Sequence, residues 1–381
     1  MPKVAIIRCE SYEYDKVKKA ITRGIDLVGG ALEFIKPGEK ILLKPNLLTA
    51  EVPERCATTH PSVFKAVAEI LKEAGAELSY GDSPATFKMK EAARKSGIEA
   101  AALEVGVKPG DFESGQEVHF KEGRQNKKFV LAKAVLENDG LISISKLKTH
   151  GLTKMTGAIK NQFGCIPGGL KGEFHVKLPD VEDFSRMLVD LNLCIKPRLY
   201  ITDGIYAMEG NGPRGGTPKR MNILLISKDP VALDATVCRI VKLNPEYVPT
   251  IKHGKALGLG TYVEEEIELV GDDIEGFYDE KYNVSRTPLK AFNPVKFLRY
   301  VRNILVPRPV IDKDKCIKCG ICINMCPVRP KAVDWINGDK AKPPKHTYRR
   351  CIRCYCCQEL CPKGAIEIKV PYARRFIVKN K

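Results

Sequence analysis

Short apolar runs alternate with longer amphipathic stretches through the first two thirds of the chain. Runs typical of buried strands occupy residues 4–9, 40–44, 77–80, 141–145, 200–202 and 222–227. Apolar positions at helical spacing occupy residues 14–28, 59–74, 179–194 and 230–242. This alternation of strands and helices predicts an α/β fold, in which a largely parallel sheet or sheets are flanked by helices in one or two lobes.

The last quarter of the chain follows a different pattern. The acid-rich residues 264–280 are expected to form a surface loop, and the basic residues 286–310 a linker helix. Within that linker, residues 296–307 could instead dock on a membrane surface. Residues 311–381 contain two similar halves, each with a cysteine-rich loop, a short helix and a strand, so they predict a separate small α+β domain with a basic tail.

Three polar segments follow predicted strands, at residues 44–47, 146–164 and 203–219. We expect them to be loops at the carboxyl ends of the strands, where open α/β sheets bind ligands. Residues 141–178 hold six lysines and two histidines against one acid, Glu173. Lysines interleaved with glycine and threonine favour a site for a carboxylate or phosphate. A solvated basic loop is the alternative.

Seven side chains in these segments are candidates for such a site. His150 would donate a proton to a bound anion, although it equally fits a structural histidine. The anion would be held by Lys146, Lys148, Lys160 and Arg214, and the groups would be oriented by Asn161 and Asp203. The G-x-G-x-x-G match at residues 210–215 is interrupted by Pro213 and is followed by a strand, so it does not indicate dinucleotide binding.

Eight of the 14 cysteines form two matching motifs, C-I-K-C-G-I-C-I-N-M-C-P and C-I-R-C-Y-C-C-Q-E-L-C-P. Three thiolates at this spacing can wrap one cluster, while the fourth, followed by proline, reaches the other cluster. The motifs therefore predict two [4Fe-4S] clusters. One would be bound by Cys316, Cys319, Cys322 and Cys361, and the other by Cys351, Cys354, Cys357 and Cys326.

Zinc and disulfides are the competing uses of these cysteines. Zinc takes four ligands per ion and has no use for a third cysteine three residues further on, or for a repeated Cys-Pro. The first ten residues contain no secretory signal, so we expect a cytoplasmic protein with reduced thiols. Both alternatives are therefore disfavoured.

Charge is distributed unevenly along the chain. Lys and Arg number 63 against 46 Asp and Glu, a formal charge of +17. Residues 1–285 balance at 40 of each sign, whereas residues 286–381 hold 23 basic and six acidic residues. Bound clusters would offset part of this excess, and the rest favours an acidic redox partner of the ferredoxin or flavodoxin type. No recognition helix or aromatic-lined groove favours nucleic acid, and no apolar run approaches the ~18 residues that a membrane span needs.

Two resemblances to known families rest on these motifs. Residues 311–370 resemble the bacterial two-cluster ferredoxins, with an insertion between the halves that we expect to form a hairpin-like loop over one cluster. Residues 1–285 resemble the family known as domain of unknown function 362, through T-T-H-P, G-D-S-P, D-P-V-A-L-D-A and the segments at 146–164 and 203–216. More distantly, T-T-H-P and T-G-A-I-K are similar to lactate racemases, from which we carry over no catalytic residue.

The sequence thus favours an oxidoreductase in which electrons cross two clusters to a small anionic substrate or cofactor in the α/β domain. In the alternative, the chain is a non-catalytic electron-transfer subunit or a metal or cofactor maturation factor. A purely structural role for the clusters is disfavoured, because one cluster is enough to brace a fold.

Overall fold

The computed structural model describes residues 1–84, 86–288 and 306–371. The strands are β1 (Lys3–Arg8), β2 (Lys40–Pro45), β3 (Glu77–Tyr80), β4 (Lys108–Pro109), β5 (Gly115–His119), β6 (Lys128–Ala132), β7 (Gly140–His150), β8 (Lys154–Thr156), β9 (Leu199–Glu209), β10 (Thr217–Ser227), β11 (Glu268–Gly271), β12 (Arg308–Ile311), β13 (Val333–Asp334), β14 (Lys345–His346) and β15 (Ile366–Lys369). The helices are α1 (Tyr14–Leu27), α2 (Pro61–Glu73), α3 (Met89–Lys95), α4 (Ile98–Val105), α5 (Lys133–Leu136), α6 (Ala158–Asn161), α7 (Leu170–Lys177), α8 (Val181–Ile195), α9 (Pro230–Ile240), α10 (Pro249–Ala256), α11 (Ile321–Asn324) and α12 (Cys356–Glu359).

One sheet organises the first 285 residues. Within the described residues its order is β11-β1-β10-β9-β7-β2-β3-β4, and β8 pairs with the end of β7. Strands β9, β7, β2, β3 and β4 pair in parallel, while β10 is antiparallel to both of its neighbours. The predicted class is confirmed: an α/β fold with a largely parallel sheet.

Alternating side chains along the strands build a core on each face of this sheet. In β1, Val4 and Ile6 pack with α8, α9 and α10, whereas Ala5 and Ile7 pack with α1, α2 and α4. All four side chains are fully or almost fully buried. Because a strand presents successive side chains to opposite faces, apolar residues at every position are what a doubly covered strand requires.

Three predicted strands are longer than expected, and this changes the location of the polar segments. Strand β7 continues to His150, β9 continues to Glu209, and β10 begins at Thr217. Residues 146–150 and 203–209, expected in loops, therefore lie in paired strands. The acidic residues 264–280, also expected as a loop, include the edge strand β11, which pairs in parallel with β1.

The cysteine-rich part forms a small α+β unit. Its two ends meet where β12 pairs antiparallel with β15, and β13 pairs with β14. The insertion forms a hairpin, closed by a bridge between Ile336 and Asp339. The returning side of this hairpin approaches both cysteine sets. Pro344 lines a cavity with Cys316, and His346 Nε2 lies 3.4 Å from Cys357 Sγ.

Most of the predicted linker helix, at residues 289–305, lies outside the described residues, as does the basic tail from residue 372. The last residues of the predicted linker, from Arg308, belong to β12. Within the described residues, no helix has the length and apolar character required to cross a membrane. The expected cytoplasmic location stays a prediction.

The buried carboxylate of Asp190 anchors a loop to helix α8, and its removal tests that contact. It accepts backbone N–H groups from Arg124, Gln125 and Asn126 at 3.0, 2.6 and 2.8 Å. We expect Asp190→Ala to lower the urea-unfolding free energy by about 3 kcal/mol, because three buried donors lose a charged acceptor. Asp183→Ala, at a half-exposed position of the same helix, should change it by about 0.5 kcal/mol or less. Equal losses in the two variants would contradict this account.

Candidate functional site

A line of basic side chains occupies one face of the central strand β7. Lys146, Lys148 and His150 stand at alternate positions, so they point to the same side of the sheet. All three are at most 5% exposed. Burying so much positive charge is costly unless each group finds a partner or loses its proton.

The charge of Lys146 is balanced by a carboxylate on the neighbouring strand. Its Nζ lies 2.9 Å from the carboxylate of Asp203, directly opposite in β9, and donates to the Tyr12 hydroxyl at 2.7 Å. The other oxygen of Asp203 accepts from Tyr12 at 2.8 Å, and the His60 ring stacks on Tyr12. Lys146 and Asp203 therefore form a closed, fully buried ion pair.

A second ion pair closes the other side of the group. Lys44, at the end of β2, lies 2.9 Å from Asp82 and donates to the side-chain oxygen of Asn161 at 3.1 Å. Asn161 also accepts from Asn46 and donates to Ser143. Asn161 thus links helix α6 to the end of β2 and to Ser143 within β7.

Lys148 stands between these ion pairs and has only neutral hydrogen-bond acceptors within the described residues. Its Nζ donates to the side-chain oxygen of Asn46 and to the carbonyl of Ala57, both at 2.7 Å. Burial, with the charges of Lys160 and Lys146, lowers the pKa of Lys148 to about 7. An amine in this state can accept a proton and gain charge when an anion arrives.

His150 has a defined tautomer and faces the cysteine-rich unit. Its Nδ1 accepts the backbone N–H groups of Leu152 and Thr153 at 3.0 and 3.3 Å, so the ring proton resides on Nε2. That nitrogen lies 2.9 Å from Oε1 of Glu359, the last residue of α12. Burial and the nearby charge of Lys160 lower the pKa of His150.

Lys160 and His175 complete the basic group on the side facing Glu359. Burial lowers the pKa of both, that of His175 to about 4, and both lie near enough to Glu359 to interact with its charge. Burial would raise the pKa of Glu359, but His150, Lys160 and His175 together lower it below its usual value. Glu359 is therefore an ionised carboxylate held by basic groups of the α/β domain.

The cysteine-rich unit brings one predicted ligand set around a shared cavity. Four cysteines line it with Lys318 and Lys363 on its rim: Cys316, Cys319, Cys322 and Cys361. A polynuclear core spaces its ligand sulfurs more widely than one ion does, and no group of three His, Cys, Asp or Glu side chains in the described residues could hold a single metal ion. The donor set is all thiol, which suits iron–sulfur ligation.

The two cysteine loops repeat the same backbone geometry. Each has left-handed residues on both sides of its second cysteine, at Lys318 and Gly320 in the first loop and at Arg353 and Tyr355 in the second. Successive N–H groups turned inward by such residues form an anion-binding concavity. The fourth cysteine of each motif also accepts a backbone N–H, Cys326 from Ala332 at 3.4 Å and Cys361 from Ala365 at 3.2 Å. These features fit an anionic cluster in each half.

The two ligand sets differ in their exposure. Cys319 is exposed, and Cys316, Cys322 and Cys361 are partly exposed. In the second set Cys326, Cys354 and Cys357 are at most 9% exposed, with only Cys351 more accessible. One cysteine of the second set, Cys357, lies on the same short helix that presents Glu359 to His150.

The cysteine-rich unit meets the α/β domain at a junction. This junction is held mainly by residues 211–214 of the third polar segment. Asn211 donates to the carbonyls of Gly364 and Ile366, and Gln358 donates to the carbonyl of Gly212. Arg214 pairs with Glu51 at 2.6 Å and donates to the carbonyl of Leu360 at 2.8 Å. This segment therefore fixes the cysteine-rich unit against the end of the sheet.

Comparison with known families assigns both parts. The model of the family described as domain of unknown function (DUF362) matches residues 41–239, and that of the 4Fe-4S dicluster domain matches residues 307–365. The chain belongs to the DUF362 family. It is an iron–sulfur protein of the 4Fe-4S type, as the cysteine motifs predict.

Two curated relatives match the parts of this DUF362 protein separately. A thylakoid-associated protein of Synechocystis sp. is 36% identical over 257 residues, which cover 67% of this chain and 79% of the relative. An uncharacterized ferredoxin of Methanocaldococcus jannaschii is 36% identical over 61 residues, which cover 16% of this chain and 77% of the relative.

Two solved structures are similar to part of this chain at low identity. The lactate racemase apoprotein of Thermoanaerobacterium thermosaccharolyticum has a TM-score of 0.40 and 13% identity, over 63% of this chain and 56% of that one. A protein from Thermotoga maritima has a TM-score of 0.34 and 14% identity, over 57% and 56%. The DUF362 protein therefore spans little more than half of either structure.

Most of the predicted anion-site residues of the DUF362 protein lie together. Lys148, His150 and Lys160 face the junction, and the other members of the group are already engaged, Lys146 with Asp203 and Asn161 with the end of β2. Arg214 is not brought into this group, because it binds Glu51 and Leu360. The roles of these residues in binding and proton transfer stay predictions.

Several residues of the site were not chosen from the sequence. Lys44 and Asn46 lie in the first polar segment, at residues 44–47, and Asp82 lies in G-D-S-P, so the sequence marked them without giving them a role. His60 lies in T-T-H-P and was likewise marked without a role, whereas Tyr12 gave no signal. Glu359 lies inside the cysteine motif, where its spacing has no relation to the α/β domain.

The lowered pKa of Lys148 predicts how the stability of the DUF362 protein depends on pH. Between about pH 7 and 10.5 the unfolded chain binds a proton at this lysine that the folded chain does not, so stability rises with pH. The contribution is at most about 1.4 kcal/mol per pH unit. We expect Lys148→Met to flatten the rise in urea-unfolding free energy across this range, whereas Lys177→Met, at an exposed lysine, retains it. If Lys148→Met leaves the slope of unfolding free energy against pH unchanged, the account of Lys148 as a neutral amine in this range is contradicted.

Proposed function

We propose that this DUF362 protein transfers electrons, through two [4Fe-4S] clusters, to a small anionic substrate or cofactor bound at Lys148, His150 and Lys160. When bound, the clusters supply one-electron transfer at low potential. The observation that supports the proposal most is the 2.9 Å contact of Glu359 with His150, because Cys357 lies only two residues from Glu359. The better-buried ligand set thus adjoins the basic group.

The exposed ligand set suits electron entry from an acidic carrier. Lys318 and Lys363 border its cavity, and Ile317 beside them is 55% exposed. A positive rim around an exposed apolar side chain steers and orients a negatively charged partner of the ferredoxin or flavodoxin type. The difference in burial between the two sets therefore gives the protein an entry side and a delivery side.

At the delivery side, the residues of the α/β domain would bind the anion and supply its proton. Lys148 faces only neutral acceptors among the described residues, so an anion can become its counter-charge and restore its proton. Lys160 would bind the same anion. His150, held with its proton on Nε2, is oriented to donate that proton to a ligand that becomes more basic on reduction.

Cysteine variants test the number of clusters and the exchange of ligands between motifs. We expect about eight irons and eight sulfides per chain after anaerobic reconstitution. Replacing Cys351, Cys354 and Cys357 with alanine should leave about four irons, measured by iron analysis and low-temperature EPR. In that background Cys361→Ser should lose or perturb the remaining cluster, whereas Cys326→Ser should leave it intact. The reverse pattern would assign each fourth cysteine to its own motif.

Reoxidation of the reduced protein tests delivery to the anion site. The anaerobically reduced full-length protein is mixed with a panel of small carboxylates and organic phosphates that each carry a reducible C=C or C=O bond, and cluster absorbance is followed with time. We expect at least one anion to reoxidise it with a saturable rate that falls at least tenfold in Lys148→Met and in His150→Gln, because each variant removes a binding or proton-donating group. Lys177→Met, with equal iron content, should match the wild type.

A non-catalytic electron-transfer subunit would behave differently in this experiment. No member of the panel would accelerate reoxidation, or the Lys148 and His150 variants would match the wild type. Either result, with iron content unchanged, would contradict the proposed delivery.

A further inference from the structure

The contact between Glu359 and His150 has the distance of an ion pair but not the geometry of a hydrogen bond. Oε1 of Glu359 and Nε2 of His150 are 2.9 Å apart, yet both are buried atoms without a hydrogen-bond partner among the described residues. Both residues are at least nine-tenths buried. Buried polar atoms are rarely left this way, so each such pair requires an explanation.

The surroundings of Glu359 would suit any carboxylate. His150 Nε2 lies 2.9 Å from its Oε1, and the side chains of Lys160 and His175 lie near it from two further elements of the α/β domain. The amine of Lys160 has no hydrogen bond with the described residues and lies 5.8 Å from the centre of the Phe163 ring. Uncommitted donors around one carboxylate are the features expected of a carboxylate-binding site.

Glu359 is not required to hold the cysteine-rich unit in place. That unit is fastened by the bonds of Asn211, Gln358 and Arg214 to backbone carbonyls, together with the Arg214–Glu51 pair. Within the described residues, Glu359 has no contact with the α/β domain of comparable geometry. Its side chain could leave His150 while these bonds remain.

We propose that Glu359 occupies the position at which the carboxylate group of a small ligand binds, and that the ligand displaces it. This inference rests on the proposed function and narrows the anion to a small carboxylate. Two carboxylates within the same group of donors repel each other, so the ligand and Glu359 exclude one another. An internal competitor tethered beside the site lowers the apparent affinity of every external carboxylate.

Glu359→Gln tests this competition, because glutamine keeps the shape of the side chain and removes its charge. Acetate binding is measured by calorimetry on the oxidised, cluster-loaded, full-length protein at fixed pH and ionic strength. We expect the variant to bind acetate at least tenfold more tightly than the wild type. Adding Lys160→Met should abolish this gain, whereas Glu367→Gln, at a half-exposed glutamate of the same unit, should bind like the wild type.

Three results would overturn the inference. If Glu359→Gln binds acetate no more tightly than the wild type, Glu359 does not compete with the ligand and instead supports the structure or binds the ligand. An equal gain for inorganic phosphate would remove the selectivity for carboxylates. A gain that persists with Lys160→Met would place acetate elsewhere. Because the binding measurement uses oxidised protein, it is independent of the reoxidation experiment. If Glu359→Gln binds acetate more tightly but no member of the panel reoxidises the reduced protein, only the proposed electron delivery is contradicted.

Discussion

The central constraint in this molecule is the burial of several lysine amines at one end of a parallel sheet. An ammonium group removed from water must gain a counter-charge or lose its proton. Two amines gain counter-charges within the α/β domain, Lys44 from Asp82 and Lys146 from Asp203. Lys148, between them, has only an amide oxygen and a carbonyl among the described residues. Two buried lysines thus have a counter-charge in the α/β domain, and Lys148 has only neutral acceptors in the described part of that domain.

The cysteine-rich unit adds one carboxylate to this group from outside the α/β domain. Glu359 extends from α12 to His150 and also lies near Lys160 and His175. The electrostatics of the site in the α/β domain therefore depend on how the other unit is docked. Under the proposed function, this arrangement would let the residue beside the buried thiolate set respond to the anion bound at the site.

The alternation of strand and helix was readable from the sequence because it reflects burial on both faces of a sheet, as in β1 and α1. The limits of the central strands were not readable. Residues 146–150 read as a loop because lysines and a histidine replace the apolar residues expected in a buried strand. The available signal was the alternation of polar and apolar side chains at residues 146–148, because Leu147 packs in the core on the other face of the sheet. The cysteine motifs were readable because cluster ligation requires that spacing. Glu359 could not have been found, because only the docking of two units brings it to His150.

Docking and charge compensation are carried out by separate sets of contacts. Asn211, Gln358 and Arg214 bind backbone carbonyls, whose hydrogen bonds do not depend on the state of the anion site. Glu359 contributes charge without an oriented hydrogen bond. If one ion pair performed both tasks, exchanging the carboxylate at His150 would release the cysteine-rich unit and separate the thiolates from the site. Because the tasks are divided, the proposed exchange of carboxylates would leave Cys357 close to the ligand.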